Sequence, residues 1–165
     1  MGTLQRCMEL LRRHRVPYVH TIHPNAFRAR EVASAEHLPP YKLAKTVIFC
    51  GDGVYAMVVI PADCVVDLDG LAARIGVNDI RLAAENEIAR LFPHAELGTM
   101  PPLGKLFNLV VYVDERLSEE KHIVFSAGTH RDAIHMSFAD YIRMENPMIG
   151  RFARPEKRTA PCPTA

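Results

Sequence analysis

The sequence predicts an α+β domain built on a mixed, mostly antiparallel sheet. Three observations carry this expectation. Two apolar, strand-like runs, Ala44 to Cys50 and Val54 to Ile60, are separated only by Gly51-Asp52-Gly53, a strong hairpin signal. Stretches of helical spacing stand between groups of strands rather than alternating with them one for one. Finally, 165 residues, 48% hydrophobic and 24% charged, suffice for one soluble domain with a sizeable core.

The elements follow in order. Thr3 is placed to cap a helix running to about Arg13, with Leu4, Cys7, Met8 and Leu11 on one face and a basic C-terminal end. Pro17 to Ile22 alternates like a strand. Arg30 to Leu38 reads as a short helix stopped by Pro39-Pro40. After the hairpin, Asp67 to Ile75 is helical and ends at Gly76, a suitable C-cap. Glu85 to Phe92 is a further short helix before Pro93. Phe107 to Val113, His122 to Phe125 and Ala133 to Met136 read as strands, with a turn near Asp114 to Ser118. Ser137 and Asp140 then open a last helix to about Asn146, with Phe138, Tyr141 and Ile142 inward. The folded domain is expected over residues 1–150. The tail, 151–165, carries prolines and basic residues and is expected to fray.

Composition removes several functions. The net charge is +1, so no global field draws in a polyanion, and contact with nucleic acid needs a local patch. No apolar run is long enough to span a bilayer, and Arg12, Arg13, His14 and Arg15 interrupt any signal-peptide core. The expected location is the cytoplasm, with no membrane partner. Cys7, Cys50, Cys64 and Cys162 include no C-x-x-C pair. Cys7 and Cys50 sit in apolar patterns as small core residues, and no disulfide framework is expected.

Three segments are candidates for chemistry. Leu97-Gly98-Thr99-Met100-Pro101-Pro102-Leu103-Gly104 packs two glycines and two prolines into one stiff, irregular loop. Such a loop either holds a small ligand against its backbone N–H groups or is merely a tight connection. Lys45 opens the first hairpin strand, as a solvated strand end or as a cation aimed into a cleft. Ser126-Ala127-Gly128-Thr129-His130 follows a strand, as a second pocket wall or as a turn with an exposed His130. No metal is expected: His20, His23 and His94 are scattered, and no H-E-x-x-H occurs. There is also no Gly-x-Ser-x-Gly elbow and no phosphate-cradling P-loop.

Read in order, the chain sets Lys45-Thr46-Val47 at a strand start and Val59-Ile60-Pro61-Ala62-Asp63 at its partner's end. Asp67-Leu68, Ile80-Arg81-Leu82-Ala83, Gly98 to Gly104 and Ser126 to His130 follow. This succession resembles the YbaK/prolyl-tRNA-editing family of aminoacyl-tRNA deacylases, over about Leu4 to Met144. The resemblance implies a partly barrel-like mixed sheet with peripheral helices. It implies hydrolysis of the ester of mischarged tRNA, often tRNA for proline carrying a small residue such as alanine, serine, threonine or cysteine, with no cofactor and no metal. The partners so implied are the acceptor end of that tRNA and prolyl-tRNA synthetase. Lys45, Gly98 and His130 fall on the family's catalytic positions. Pro102 falls on the proline of the family's loop, and Thr46, Pro101, Pro102, Gly104, Ser126 and Gly128 are the candidate substrate-binding residues. The alanyl-editing branch has lysine-asparagine where this chain has Lys45-Thr46. An aminoacyl ester is already activated, so the implied chemistry needs a positioned water, an oxyanion held by N–H groups of the Gly98 loop, and assistance from the substrate's own ribose hydroxyl. Pro101 and Pro102 are expected to narrow the pocket against larger side chains. Two other readings share these residues: a non-catalytic tRNA-binding or synthetase-associated module, and a hydrolase of another small acyl ester.

Overall fold

Asp52 and Gly53 both take positive φ, 49° and 81°, which is the two-residue turn whose twist matches that of paired strands. This turn sets the register of the longest ladder in the molecule. The computed structural model describes residues 1–157. In it β2 (Ala44–Gly51) pairs antiparallel with β3 (Val54–Pro61), from Ala44 opposite Pro61 to Gly51 opposite Val54.

Around this hairpin grows a five-stranded sheet in the order β5-β2-β3-β6-β9. Here β5 is Ile80–Leu82, β6 is Val111–Asp114 and β9 is Met148–Gly150. The β3–β6 and β6–β9 pairs are parallel; the others are antiparallel. A second sheet has the order β1-β8-β7, all antiparallel, from β1 (Tyr18–Ile22), β7 (His122–Ser126) and β8 (Asp132–Ser137). A bridge between Leu43 and Val124 joins the two sheets where β2 begins. The third sheet is the pair β4 (Cys64–Val66) and β10 (Ala153–Pro155). The fold is therefore α+β with mostly antiparallel sheets.

Five helices lie around the sheets among the described residues: α1 (Thr3–Arg13), α2 (Ala29–Ala35), α3 (Leu68–Ile75), α4 (Glu85–Leu91) and α5 (Phe138–Glu145). Asp67 caps α3 by accepting from the Gly70 N–H, and Gly76 closes it at φ 76°. Ser137 caps α5 by accepting from the Asp140 N–H. Between the two larger sheets lies the main core, built on Leu11, Ile48, Met57, Leu103, Phe125 and Tyr141 among others. A smaller core of Phe49, Val58, Ile60, Leu71 and Phe152 sits behind the five-stranded sheet. Among the described residues no helix is long and apolar enough to cross a membrane.

Several expectations are corrected. Thr3 is the first helical residue and Gly2 the cap; the Thr3 hydroxyl instead donates to the His94 carbonyl at 2.9 Å, tying α1 to a distant loop. The helix expected over Arg30 to Leu38 stops at Ala35, and His37 turns to φ 58°. The strand expected from Phe107 begins only at Val111. The Phe107 N–H donates to the Gly104 carbonyl, so Gly104–Leu106 is a 3₁₀ turn; Asn108 then stands at φ 54°, and the Leu109 N–H folds back onto the same carbonyl. The chain past Gly150 does not fray at once: Phe152 and Ala153 are buried and β10 pairs with β4. Cys162 and the rest of the expected tail, 158–165, lie outside the described residues.

Candidate functional site

The register of β2 sets Lys45 opposite Ile60 and Thr46 opposite Val59. Side chains alternate along a strand, so the two leave by opposite faces. Ala44 and Ile48, on the Thr46 face, belong to the main core; Val47 and Phe49, on the Lys45 face, pack with the smaller one. At the start of β2 the sheet ends, and both residues reach a narrow cleft. Its walls come from four segments. Lys45 and Thr46 form one, and Gly98, Thr99 and Met100 the second. Ser126 and His130 form the third, and Ala26, Phe27, Ala29 and Val32, from α2 and the loop before it, the fourth. The enclosed volume is only about 20 Å³, space for roughly one water-sized group.

Two backbone bonds lock the second wall to the third. Glu96 N–H donates to the Gly128 carbonyl, and Gly128 N–H donates to the Thr99 carbonyl, both at 2.9 Å. Glu96 adds a carboxylate that accepts from the His130 N–H at 2.9 Å and lies 3.5 Å from its Nε2. The His130 ring also meets the exposed ring of Phe27, centroids 4.7 Å apart and tilted by 52°. His130 is thus oriented by two neighbours. Gly98 stands at φ 86°, a conformation in which a side chain would be strained.

Burial lowers the Lys45 ammonium below its ordinary pKa; the charges of Glu156, Cys64 and Asp63 act in the opposite sense. The Thr46 Oγ1 is buried and has no hydrogen-bond partner among the described residues. Burial pushes the Cys64 thiol up to about 11 and the Cys7 thiol up to about 12, so neither supplies a thiolate at neutral pH.

The cleft thus gathers Lys45, Thr46, Gly98, Ser126 and His130. It does not gather Pro101, Pro102, Gly104 or Gly128. Pro101 and Pro102 turn into the core, and the Pro102 carbonyl accepts from the buried Tyr141 hydroxyl at 2.7 Å. At Gly104 a Cβ would stand 2.2 Å from the Leu109 carbonyl oxygen, and at Gly128 2.6 Å from the Thr3 Cβ. These four residues shape the loops behind the site. The narrowing expected from the prolines comes instead from Met100 and Val32, together with Leu43. Sequence reasoning missed Phe27, Val32 and Glu96. The first two carry no local pattern, and the Glu96 role exists only once the loops are paired.

Two further histidines lie against carboxylates. His20 Nε2 lies 2.6 Å from Asp132, and His135 Nε2 3.0 Å from Glu36. Thr129 donates to Asp132 at 2.6 Å and so stiffens the turn that carries His130.

A small cleft thus lies at the start of a hairpin strand, walled by a glycine loop and by a turn ending in histidine. The family model of the aminoacyl-tRNA editing domain matches residues 23–144, and the chain belongs to that family. The chain is 31% identical over 116 residues to a proline–tRNA ligase of Staphylococcus saprophyticus, covering 68% of this chain and 19% of the ligase. A proline–tRNA ligase of Dehalococcoides mccartyi is also 31% identical, over 113 residues. The chain therefore spans about a fifth of the length of these relatives, 19%. A solved structure described as a candidate trans-editing enzyme for prolyl tRNA synthetase superposes with a TM-score of 0.80 at 20% identity, over 93% of this chain and 98% of that one. A solved hypothetical protein gives 0.83 at 20% identity, over 90% and 99%. At that identity the two structures speak for the fold.

Proposed function

We propose that the chain is an aminoacyl-tRNA deacylase that acts in trans on mischarged tRNA, with tRNA for proline carrying a small amino acid as its substrate. The observation that carries this reading is the cleft itself. One lysine, one unpartnered hydroxyl and one oriented histidine converge on a space of about 20 Å³. The likeness to proline–tRNA ligases and to the trans-editing neighbour supports tRNA for proline as the substrate class.

The reaction is hydrolysis. Water adds to the ester carbonyl carbon, the bond from that carbon to the ribose oxygen breaks, and the ribose oxygen leaves with a proton. Among the described residues the Gly98 N–H has no acceptor, so it is free to meet the oxygen on which charge develops. One such donor is worth about 3–4 kcal/mol in hydrolases. Lys45 meets the anionic end of the nucleotide, and the raised thiols of Cys7 and Cys64 disfavour a covalent route. Phe27 offers an exposed aromatic face at the mouth, suited to a stacked base. Met100, Val32 and Leu43 limit the side chain by size, which is the second sieve of double-sieve editing.

A panel of charged tRNAs tests the reading. Alanyl- and seryl-tRNA for proline are expected to lose their amino acid, prolyl-tRNA is expected to be spared, and free aminoacyl esters are expected to be poor substrates. Rapid hydrolysis of prolyl-tRNA would sink the editing role. Turnover of free esters alone would make the chain a hydrolase of small acyl esters. Binding of tRNA without any hydrolysis would make it a recognition module.

A further inference from the structure

The residue that follows the C-terminal strand brings a carboxylate to α2, from outside the residues that match the family. β10 pairs with β4, and the Glu156 N–H donates to the Asp63 carbonyl at 3.0 Å. That bond presents the Glu156 side chain to α2, where its Oε2 accepts from Arg30 Nε at 3.2 Å and from Arg30 Nη2 at 3.1 Å. α2 is the cleft wall that carries Ala29 and Val32. Lys45 lies within the field of the same group of charges: Glu156, Asp63 and Arg30 all act on it.

We propose that Arg30 and Lys45 together form an anion subsite for a substrate phosphate, and that Glu156 is its built-in counter-ion, holding the place until a phosphate displaces it. This rests on the reading of the cleft as the seat of a tRNA end. Arg30 presents a planar fork of donors that suits phosphate as well as carboxylate. The pair is weak enough to exchange. Arg30 and Glu156 are 44% and 46% exposed, and ion pairs at that exposure are screened and contribute little. A phosphodiester offers two charged oxygens, as the carboxylate does, and in the proposed subsite is shared by Lys45 and Arg30. Lys45 has no ion-pair partner among the described residues. Glu156 also offsets the action of Arg30 on Lys45: the carboxylate favours the Lys45 charge, and the guanidinium, like burial, opposes it.

The test uses the full chain as wild type, Glu156→Gln, Arg30→Gln and the double variant. The first probe is an uncharged acceptor-stem minihelix ending in CCA, followed by fluorescence anisotropy over a range of KCl concentrations. Glu156→Gln is expected to bind about two- to fivefold tighter than wild type, the range an exposed ion pair commands. Arg30→Gln is expected to bind several-fold more weakly, with a salt slope smaller by about 0.7–0.9, one phosphate contact. The double variant is expected to bind like Arg30→Gln, because the gain from Glu156→Gln needs Arg30. Equal or weaker binding by Glu156→Gln, or a gain that persists without Arg30, would overturn the proposal.

The second probe is inorganic pyrophosphate, followed by NMR at the Lys45 and Arg30 side chains. Pyrophosphate is expected to shift both signals, at lower concentration in Glu156→Gln. Absence of those shifts, or no difference between the proteins, also overturns the subsite. If the shifts occur but no charged tRNA is hydrolysed, the subsite stands and the deacylase reading falls.

Discussion

Lys45 is costly to hold where it is. Burial disfavours its charge, so the residue works against stability and only a ligand rewards it. Lys45→Ala is therefore expected to leave the melting temperature unchanged or higher, while kcat/KM for deacylation falls about 10- to 100-fold, the worth of a bond to a charged group. Circular dichroism melts beside a deacylation assay check both halves. Normal turnover in a folded variant would reduce Lys45 to a strand-end charge. Thr46 makes the complementary case. Its buried hydroxyl has no partner among the described residues, and Val is nearly its shape. Thr46→Val is expected to be at least as stable as wild type, by chemical denaturation, yet about two- to tenfold lower in kcat/KM, because the hydroxyl bonds only to substrate. A loss of stability with unchanged kinetics would assign the hydroxyl to the fold. At this scale the sequence was most readable where chain order alone carries the signal: Lys45, Thr46, Gly98, Ser126 and His130 fall on the cleft. Phe27 and Glu96 were not readable, because each acts through a ring or turn more than thirty residues away.

Elements were legible in proportion to how locally they are determined. The hairpin needed only Gly51-Asp52-Gly53, and α3 only Asp67 and Gly76. The strands β4, β5, β9 and β10 have three residues each and exist through their partners, so no periodicity announces them. The loop behind the cleft is likewise held from afar. Glu145, the last residue of α5, accepts from the Lys105 N–H at 3.4 Å, while its Oε1 is buried without a partner among the described residues. Burial raises its carboxyl to about 7 from an ordinary 4.5. The folded state therefore holds a proton that the unfolded chain has released between about pH 4.5 and pH 7, and stability falls as pH rises through that window. Over the whole window the loss is at most about 3.5 kcal/mol, at about 1.4 kcal/mol per pH unit. Glu145→Gln keeps the acceptor and removes the titration. Relative to wild type it is expected to gain stability from pH 5 to pH 7 in urea denaturation and to gain little more above that. Parallel pH profiles for the two proteins would show that Glu145 is not the group responsible.

Across the whole molecule the charges nearly cancel: 20 Lys and Arg stand against 19 Asp and Glu. Several of these charges are also paired, as in Arg81 with Glu87, Arg116 with Asp114, Arg143 with Asp140 and Arg151 with Glu115. A protein that gripped tRNA along its length would need a broad basic face. This one offers local cations at the cleft and is expected to read only the end of its substrate. Each phosphate neutralised on a single strand contributes about 0.7 to the slope of log affinity against log salt, so Lys45 and Arg30 together predict a slope near −1.4. Between 50 and 200 mM KCl the KM for charged tRNA should then rise about sevenfold, with kcat little changed. Initial rates over tRNA concentration at four or five salt levels measure this directly. A slope steeper than about −4 would mean that many phosphates are held at once, and that a binding face other than the cleft governs affinity.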